Sequence, residues 1–192
     1  MLPVMARESD DKALMVRYRD GEVAAFEALY TRHKGPLYRY FLRQRLGPEP
    51  AAELTQEVWM KIIRAKERYE PTAKFTTWLY RLAHNCLVDQ YRRSAHKIAQ
   101  HRADDDNAVA QLPAAPAGNP EANAMRDESV KQFRAALLNL PDEQREAFIL
   151  KQEAGLSLAD VAAITGVSAE TAKSRLRYAF SKLRRQLDED HA

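Results

Sequence analysis

From Ser168 to Arg185 the chain sets Lys173, Arg175, Arg177, Lys182, Arg184 and Arg185 against a single carboxylate, Glu170. Cations at this density bind phosphate oxygens, and those that reach the edges of base pairs tell the pairs apart. On a helix, Glu170, Thr171, Lys173, Ser174 and Arg177 face outward, and Ala172, Leu176, Ala179 and Leu183 face inward. A second set of cations, Arg68, Lys74, Arg81, Arg92 and Arg93, is interleaved with Phe75, Trp78 and Tyr91, the imidazole of His84 and the amide of Asn85. Unstacked bases need flat rings or amides beside a positive track for the backbone, and this segment has all three. Aromatics at helical spacing also fill cores, so Phe75, Trp78 and Tyr91 are assigned to packing, while His84 and Asn85 lie on a more polar face.

No comparable case exists for catalysis. His33, His84, His96, His101 and His191 show no ligand spacing, and Cys86, the only cysteine, excludes an intramolecular disulfide or a multi-cysteine zinc site. There is no glycine-rich phosphate loop, no Ser-His-Asp set and no paired-carboxylate arrangement. The run Asp104 to Asp106 reads as solvated linker rather than a cation site. The expectation is a protein with no catalytic residues, no metal and no cofactor.

The elements that must hold these groups follow from periodicity. In the 192 residues strand-like alternation is absent and apolar residues recur at three and four throughout, so the fold class expected is all-α. A first helix is predicted from about Asp11 to Arg19. A second carries Val23, Phe26, Leu29 and Tyr30, meets Gly35-Pro36 as either a kink or a fresh first turn, and resumes to Gly47-Pro48. Pro50 opens a third, in which Leu54, Val58, Trp59, Ile62 and Ile63 form one stripe, and a fourth runs from Phe75 to about Ala95. The stretch from Asp104 is rich in Ala, Pro, Asn and Asp and too poor in large apolar side chains to order itself, so it is expected to be a flexible linker. Helices resume near Glu128, and Pro141-Asp142 caps another. Between Leu156 and Leu187, Leu158, Val161, Ala162 and Ile164 mark one helix face, Gly166 supplies a left-handed turn, and Ser168 caps a second helix. That is a helix-turn-helix.

Charge is distributed in blocks. The formal balance is only +3, but the segment Lys61 to Arg102 is strongly basic and Asp104 to Glu128 is acidic. Neither a signal peptide nor an apolar run long enough to span a bilayer is visible, so the expectation is a soluble cytoplasmic protein with no direct membrane insertion.

Four blocks, AFEALYTRHKGPLYRYFLRQRLG, AAELTQEVWMKIIRA, AKFTTWLYRLAHNCLVDQYRR and LPDEQREAFILKQEAGLSLADVAAITGVSAETAKSRLRYAFSKLRR, occur in this order with a variable linker before the last. In this the chain resembles the bacterial RNA polymerase sigma factors of the extracytoplasmic-function (ECF) group. The resemblance implies a sigma2 helical bundle over 10–95, a linker over 96–127 and a sigma4 helix-turn-helix domain over 128–187. It implies that Arg68, Tyr69, Lys74, Arg81, His84, Asn85, Arg92 and Arg93 bind and melt the −10 element, with the loop Glu67 to Lys74 pocketing a flipped-out base. Ser168, Glu170, Thr171, Lys173, Ser174 and Arg177 would then bind the −35 element. The helix containing Glu53, Gln56, Glu57 and Lys61 would dock on the beta-prime clamp helices of core RNA polymerase. Further partners implied are the beta flap, promoter DNA and an anti-sigma factor that holds the chain inactive. Glu170 and Tyr178 depart from many relatives, which carry glycine and a basic residue there. The alternative is a helix-turn-helix regulator that is not a sigma subunit; the first half lacks the alternating strands and helices of a receiver domain.

Overall fold

The computed structural model describes residues 4–101 and 123–189, with side chains described over 10–95 and 129–188. All elements among them are helical. Backbone contacts divide them into two compact units, residues 4–41 with 48–101 and residues 42–47 with 123–189.

The first unit is built from α1 (Val4–Arg19), α2 (Val23–Leu42), α3 (Pro48–Ala65), a single 3-10 turn (Lys66–Arg68) and α4 (Phe75–His101). Met15 of α1, Leu29 and Leu37 of α2, Ile62 of α3, and Phe75 and Leu79 of α4 are fully buried. Each such side chain contributes about 1.5–3 kcal/mol relative to exposure. Ile63 leaves the expected stripe and is 37% exposed. Consecutive helical residues point about 100° apart, so a core that takes Ile62 turns Ile63 away.

Helix ends differ from expectation wherever no residue enforces a stop. No Gly or Pro lies inside α1 or α4, so α1 begins at Val4 rather than near Asp11, and α4 runs past Ala95 to His101. Pro48 rather than Pro50 opens α3, using the first-turn position where its missing N–H costs nothing. Gly35-Pro36 starts no new helix, because α2 runs through it. Proline removes one hydrogen bond there, but Leu29, His33, Leu37, Tyr40 and Phe41 are buried on either side and hold both halves to the same core.

The second unit comprises α5 (Asn123–Leu138), α6 (Asp142–Gln152), α7 (Leu158–Thr165) and α8 (Ala169–Glu189), with α8 packed on each of the other three. The start of α5 at Asn123 lies before the expected Glu128. Pro141 gives α6 no side-chain cap. Its carbonyl instead accepts from the N–H groups of Gln144 and Arg145 at 3.0 and 2.9 Å. The turn between α5 and α6 is held by the fully buried Arg145, whose Nη1 donates to the Leu140 carbonyl at 2.9 Å and Nη2 to Asp142 Oδ1 at 2.6 Å. A buried guanidinium is tolerated only when paired in this way.

Candidate nucleic-acid interface

The helix-turn-helix is fixed at three points. Ser157 and Asp160 form a reciprocal capping box at the start of α7, each accepting from the other's backbone N–H at 3.1 Å. Gly166 ends α7 at φ 68°, ψ 31°, and the N–H of Val167 returns to the Ala162 carbonyl at 3.1 Å. Ser168 then accepts from the Thr171 N–H at 3.1 Å, and its hydroxyl also meets that of Thr171 at 2.9 Å. Beyond that cap Ala172, Leu176, Ala179 and Leu183 are all buried, on the face expected. Glu170, Thr171, Lys173 and Arg177 are exposed and Ser174 is half-buried. The Arg177 guanidinium lies 5.1 Å from the ring centroid of Tyr178, itself 51% exposed. α8 therefore offers cations, hydroxyls and one arginine-stacked ring on a rigid, capped helix, which suits insertion into a major groove.

In the first unit the residues after the 3-10 turn fold back on α4. Tyr69 is buried, its ring 5.0 Å from that of Trp78, and the Phe75 ring lies 6.0 Å from that of Trp78. Together with Arg68, Glu70, Thr72, Thr77 and Arg81, Tyr69 and Trp78 line a cavity of about 270 Å³. That is just below the usual size range of small-molecule sites, about 300–1,000 Å³, and suits one small planar group. Trp78, Arg81, Asn85, Val88 and Arg92 recur at alternating spacings of three and four and so form one stripe along α4. At 1.5 Å per residue it extends about 21 Å. Arg68, Arg81, Asn85 and Arg92 are exposed, while Lys74, His84 and Trp78 are half-buried. Burial pushes the Tyr69 phenol above its ordinary pKa, and the charge of Asp11 adds to this. Its hydroxyl has no hydrogen-bond partner. Tyr69 thus shapes the cavity from within and presents no exposed group.

Three residues assigned to two surfaces come together between α3 and α4. Glu57 Oε1 lies 3.0 Å from Lys61 Nζ, Glu57 Oε2 lies 3.5 Å from Arg93 Nη2, and Lys61 Nζ lies 3.2 Å from the buried Cys86 Sγ. Burial acts to raise the Glu57 carboxyl, but the hydrogen bond and charge of Lys61 and the charge of Arg93 outweigh it and hold the group below its ordinary value. Burial raises the Cys86 thiol, with the Lys61 hydrogen bond acting against it. The outer face of α3 has different members. Glu53 and Gln56 are exposed there, and at the same helical spacing so are Met60 and Ile63, at 46% and 37%. Sequence reasoning missed this apolar pair, whose positions seven and ten residues after Glu53 were the available signal.

A groove of about 940 Å³ in the second unit was also missed. It is lined by Phe133, Phe148, Phe180 and Leu183 together with Arg177, Arg184 and Arg185. Phe180 is 48% exposed and its ring lies 5.3 Å from Phe148. Among the described residues no three His, Cys, Asp or Glu side chains gather as a metal site, and no helix is long and apolar enough to cross a membrane.

Both units have relatives. Sigma-70 region 2 matches residues 29–97, and sigma-70 region 4 matches residues 131–183. The RNA polymerase sigma factor CarQ of Myxococcus xanthus is 31% identical over 179 residues, covering 91% of this chain and 96% of that protein. The ECF RNA polymerase sigma factor SigK of Mycolicibacterium vanbaalenii is 30% identical over 187 residues, covering 97% and 92%. Among solved structures, the sigma factor RpoE of Bartonella quintana, in complex with the anti-sigma factor NepR, aligns with a TM-score of 0.67 at 26% identity over 85% of this chain and 96% of that one. CnrH, in complex with the cytosolic domain of CnrY, shares the fold with a TM-score of 0.69 at 21% identity, covering 94% and 99%. A bundle that carries region 2, a capped helix-turn-helix that carries region 4, and relatives matched nearly end to end make this chain a member of the sigma-70 family, in its ECF group of RNA polymerase sigma factors.

Proposed function

We propose that the chain reads promoters through two separate surfaces, with the first unit holding melted −10 DNA and α8 entering the major groove of the −35 element. One observation carries the reading: the α4 stripe leads from Arg92 through Asn85 and Arg81 to an aromatic-walled cavity sized for one planar group. A protein that reads only duplex has no use for such a cavity, whereas a single strand with one base extruded has. Arg68, Lys74 and Arg92 follow the backbone, Arg81 lines the pocket, His84 and Asn85 meet base edges, and Tyr69 shapes the pocket. Arg93 is paired with Glu57, which offsets its charge and makes it a lesser part of the track.

On α8, Lys173, Ser174 and Arg177 are the base or phosphate contacts. Ser168 fixes the helix end, Thr171 shares that cap, and Glu170 favours the positive end of the helix. A base-reading contact discriminates by about 1–3 kcal/mol, and a phosphate contact lowers binding evenly across sequences.

The exposed face of α3, Glu53 and Gln56 with Met60 and Ile63, suits the beta-prime clamp helices of core polymerase, while Glu57 and Lys61 hold α3 to α4 behind it. The aromatic groove of the second unit, with three arginines in its lining, suits an apolar and acidic helix such as one from the beta flap. RpoE was solved with an anti-sigma factor, which supports control of this chain by an inhibitor, and these surfaces are the ones such an inhibitor would have to cover. Bond-making belongs to the polymerase, and the chain acts in the cytoplasm beside it. Run-off transcription with core enzyme and a library of promoters tests the reading. Specific starts that depend on both elements are expected, and starts indifferent to either element refute that half of it.

A further inference from the structure

The match to sigma-70 region 2 begins at residue 29, so α1 lies wholly outside it. α1 nevertheless reaches the cavity-forming loop. Arg19, its last residue, donates from Nη1 to the Tyr69 carbonyl at 3.3 Å, and Lys66 of the 3-10 turn sits over the Tyr18 ring at 5.3 Å. Deeper in, the Asp11 carboxylate is 2% exposed, hydrogen-bonded by the Arg32 guanidinium and 2.9 Å from His33 Nε2. The His33 ring in turn lies 5.3 Å from Phe75, which abuts Trp78. Tyr69 and Trp78 are thus each linked by a chain of contacts to α1. The buried Tyr69 hydroxyl finds no partner, which is a cost to the fold, so its position is imposed by its surroundings rather than chosen by the phenol.

We infer that α1 is the positioning element of the −10 pocket, and that Arg19, through its hydrogen bond to the Tyr69 carbonyl, sets how sharply the pocket discriminates the base it receives. The inference rests on reading that cavity as a base pocket. Arg19 touches no DNA in this scheme. It fixes the backbone on which one wall of the pocket is mounted, and a wall free to shift accepts more than one base. Its other partner is Asp20, at 2.9 Å on the surface, so replacing the guanidinium leaves the core untouched.

The experiment uses the full chain with core polymerase and promoters carrying each of the four bases at every melted −10 position. The readout is the ratio of initiation between best and worst base. That ratio is internal to one preparation, so a loss of folded protein cancels from it. Arg19→Met, which keeps the stem and removes the donors, should lower the ratio about three- to tenfold, the worth of one hydrogen bond, with affinity for core unchanged. Arg19→Lys, which can still reach the carbonyl with one donor, should restore part of it. Arg81→Ala, inside the pocket, serves as the control. A wild-type ratio in Arg19→Met together with a lowered ratio in Arg81→Ala overturns the positioning role and leaves the pocket standing. Wild-type ratios in both overturn the pocket and the inference with it. If Arg19→Met does not fold, the ratio is read on Arg19→Gln, too short to span the distance: a lowered ratio supports the inference, and a wild-type ratio overturns it.

Discussion

Replacing Gly166 with alanine isolates the cost of aiming α8. At φ 68° and ψ 31° the residue sits in the left-handed region, where an L side chain loses about 1–2 kcal/mol. A Cβ built there meets nothing within 4 Å, so no steric clash adds to that penalty. Alanine also restricts the unfolded chain, which returns about 0.4–1 kcal/mol. The net loss is therefore about 0–1.6 kcal/mol, with a mid-range of about 0.8, equivalent to roughly a fourfold rise in the opening equilibrium and about fifteenfold at most. Because the chain has two units, a global melt would blur the effect, and amide hydrogen exchange resolves it. Exchange should speed up by that factor over α7 and α8 and stay unchanged in the first unit. Gly166→Asn should fall between alanine and glycine, since asparagine tolerates this conformation. An alanine variant that exchanges as slowly as the native chain would refute the claim that left-handed geometry holds the turn. Faster exchange with unaltered −35 use would instead show that the turn's stability and its aim are separable.

Arg177→Ala and Lys173→Ala should both weaken −35-dependent transcription; a base contact changes the preferred sequence by about 1–3 kcal/mol at one position, whereas a phosphate contact reduces binding uniformly and lowers the salt slope by about one. Neither effect in a folded variant removes α8 as the reader. Asn85→Ala, combined with exchange of residues 69–74, should alter the preferred −10 base while core binding persists, as read by permanganate reactivity of thymines in the open complex. Met60→Asp and Ile63→Asp should each impair competition for core polymerase more than Glu57→Gln does; equal losses would return Glu57 to the docking face. The Glu57 carboxyl, held below its ordinary 4.5, contributes stability that is present above that pH and lost as pH falls through its lowered value. Glu57→Gln should accordingly flatten the acid limb of the first unit's stability, followed by tryptophan fluorescence, since Trp59 and Trp78 both lie in that unit.

Local rules carried far here, and long-range packing supplied the remainder. The inward face of α8 and the turn at Gly166 were legible because each rests on a period or a single backbone preference. Pro36 left a kink and a fresh first turn both open, because a local breaker signal does not report the burial on either side of it. Glu57 and Lys61 read as wet on an amphipathic pattern, but their neighbours Arg93 and Cys86 come from α4, some thirty residues on, beyond any helical window. The resemblance gives Tyr69 as a −10-binding residue of the loop, and the groups it packs against belong to α1 and α4.

The thiol of Cys86 has a practical consequence. It is the chain's only sulfhydryl, it is buried, and its ionisation is suppressed, so alkylating agents and peroxide find almost no thiolate at neutral pH. The native protein is then a ready background for site-directed labelling, because a cysteine introduced at an exposed position of either unit would react alone. Dye pairs placed in this way, one on α3 and one on α8, would report the span between the two units in the free protein, in the presence of an inhibitor and on the polymerase, with no prior cysteine removal.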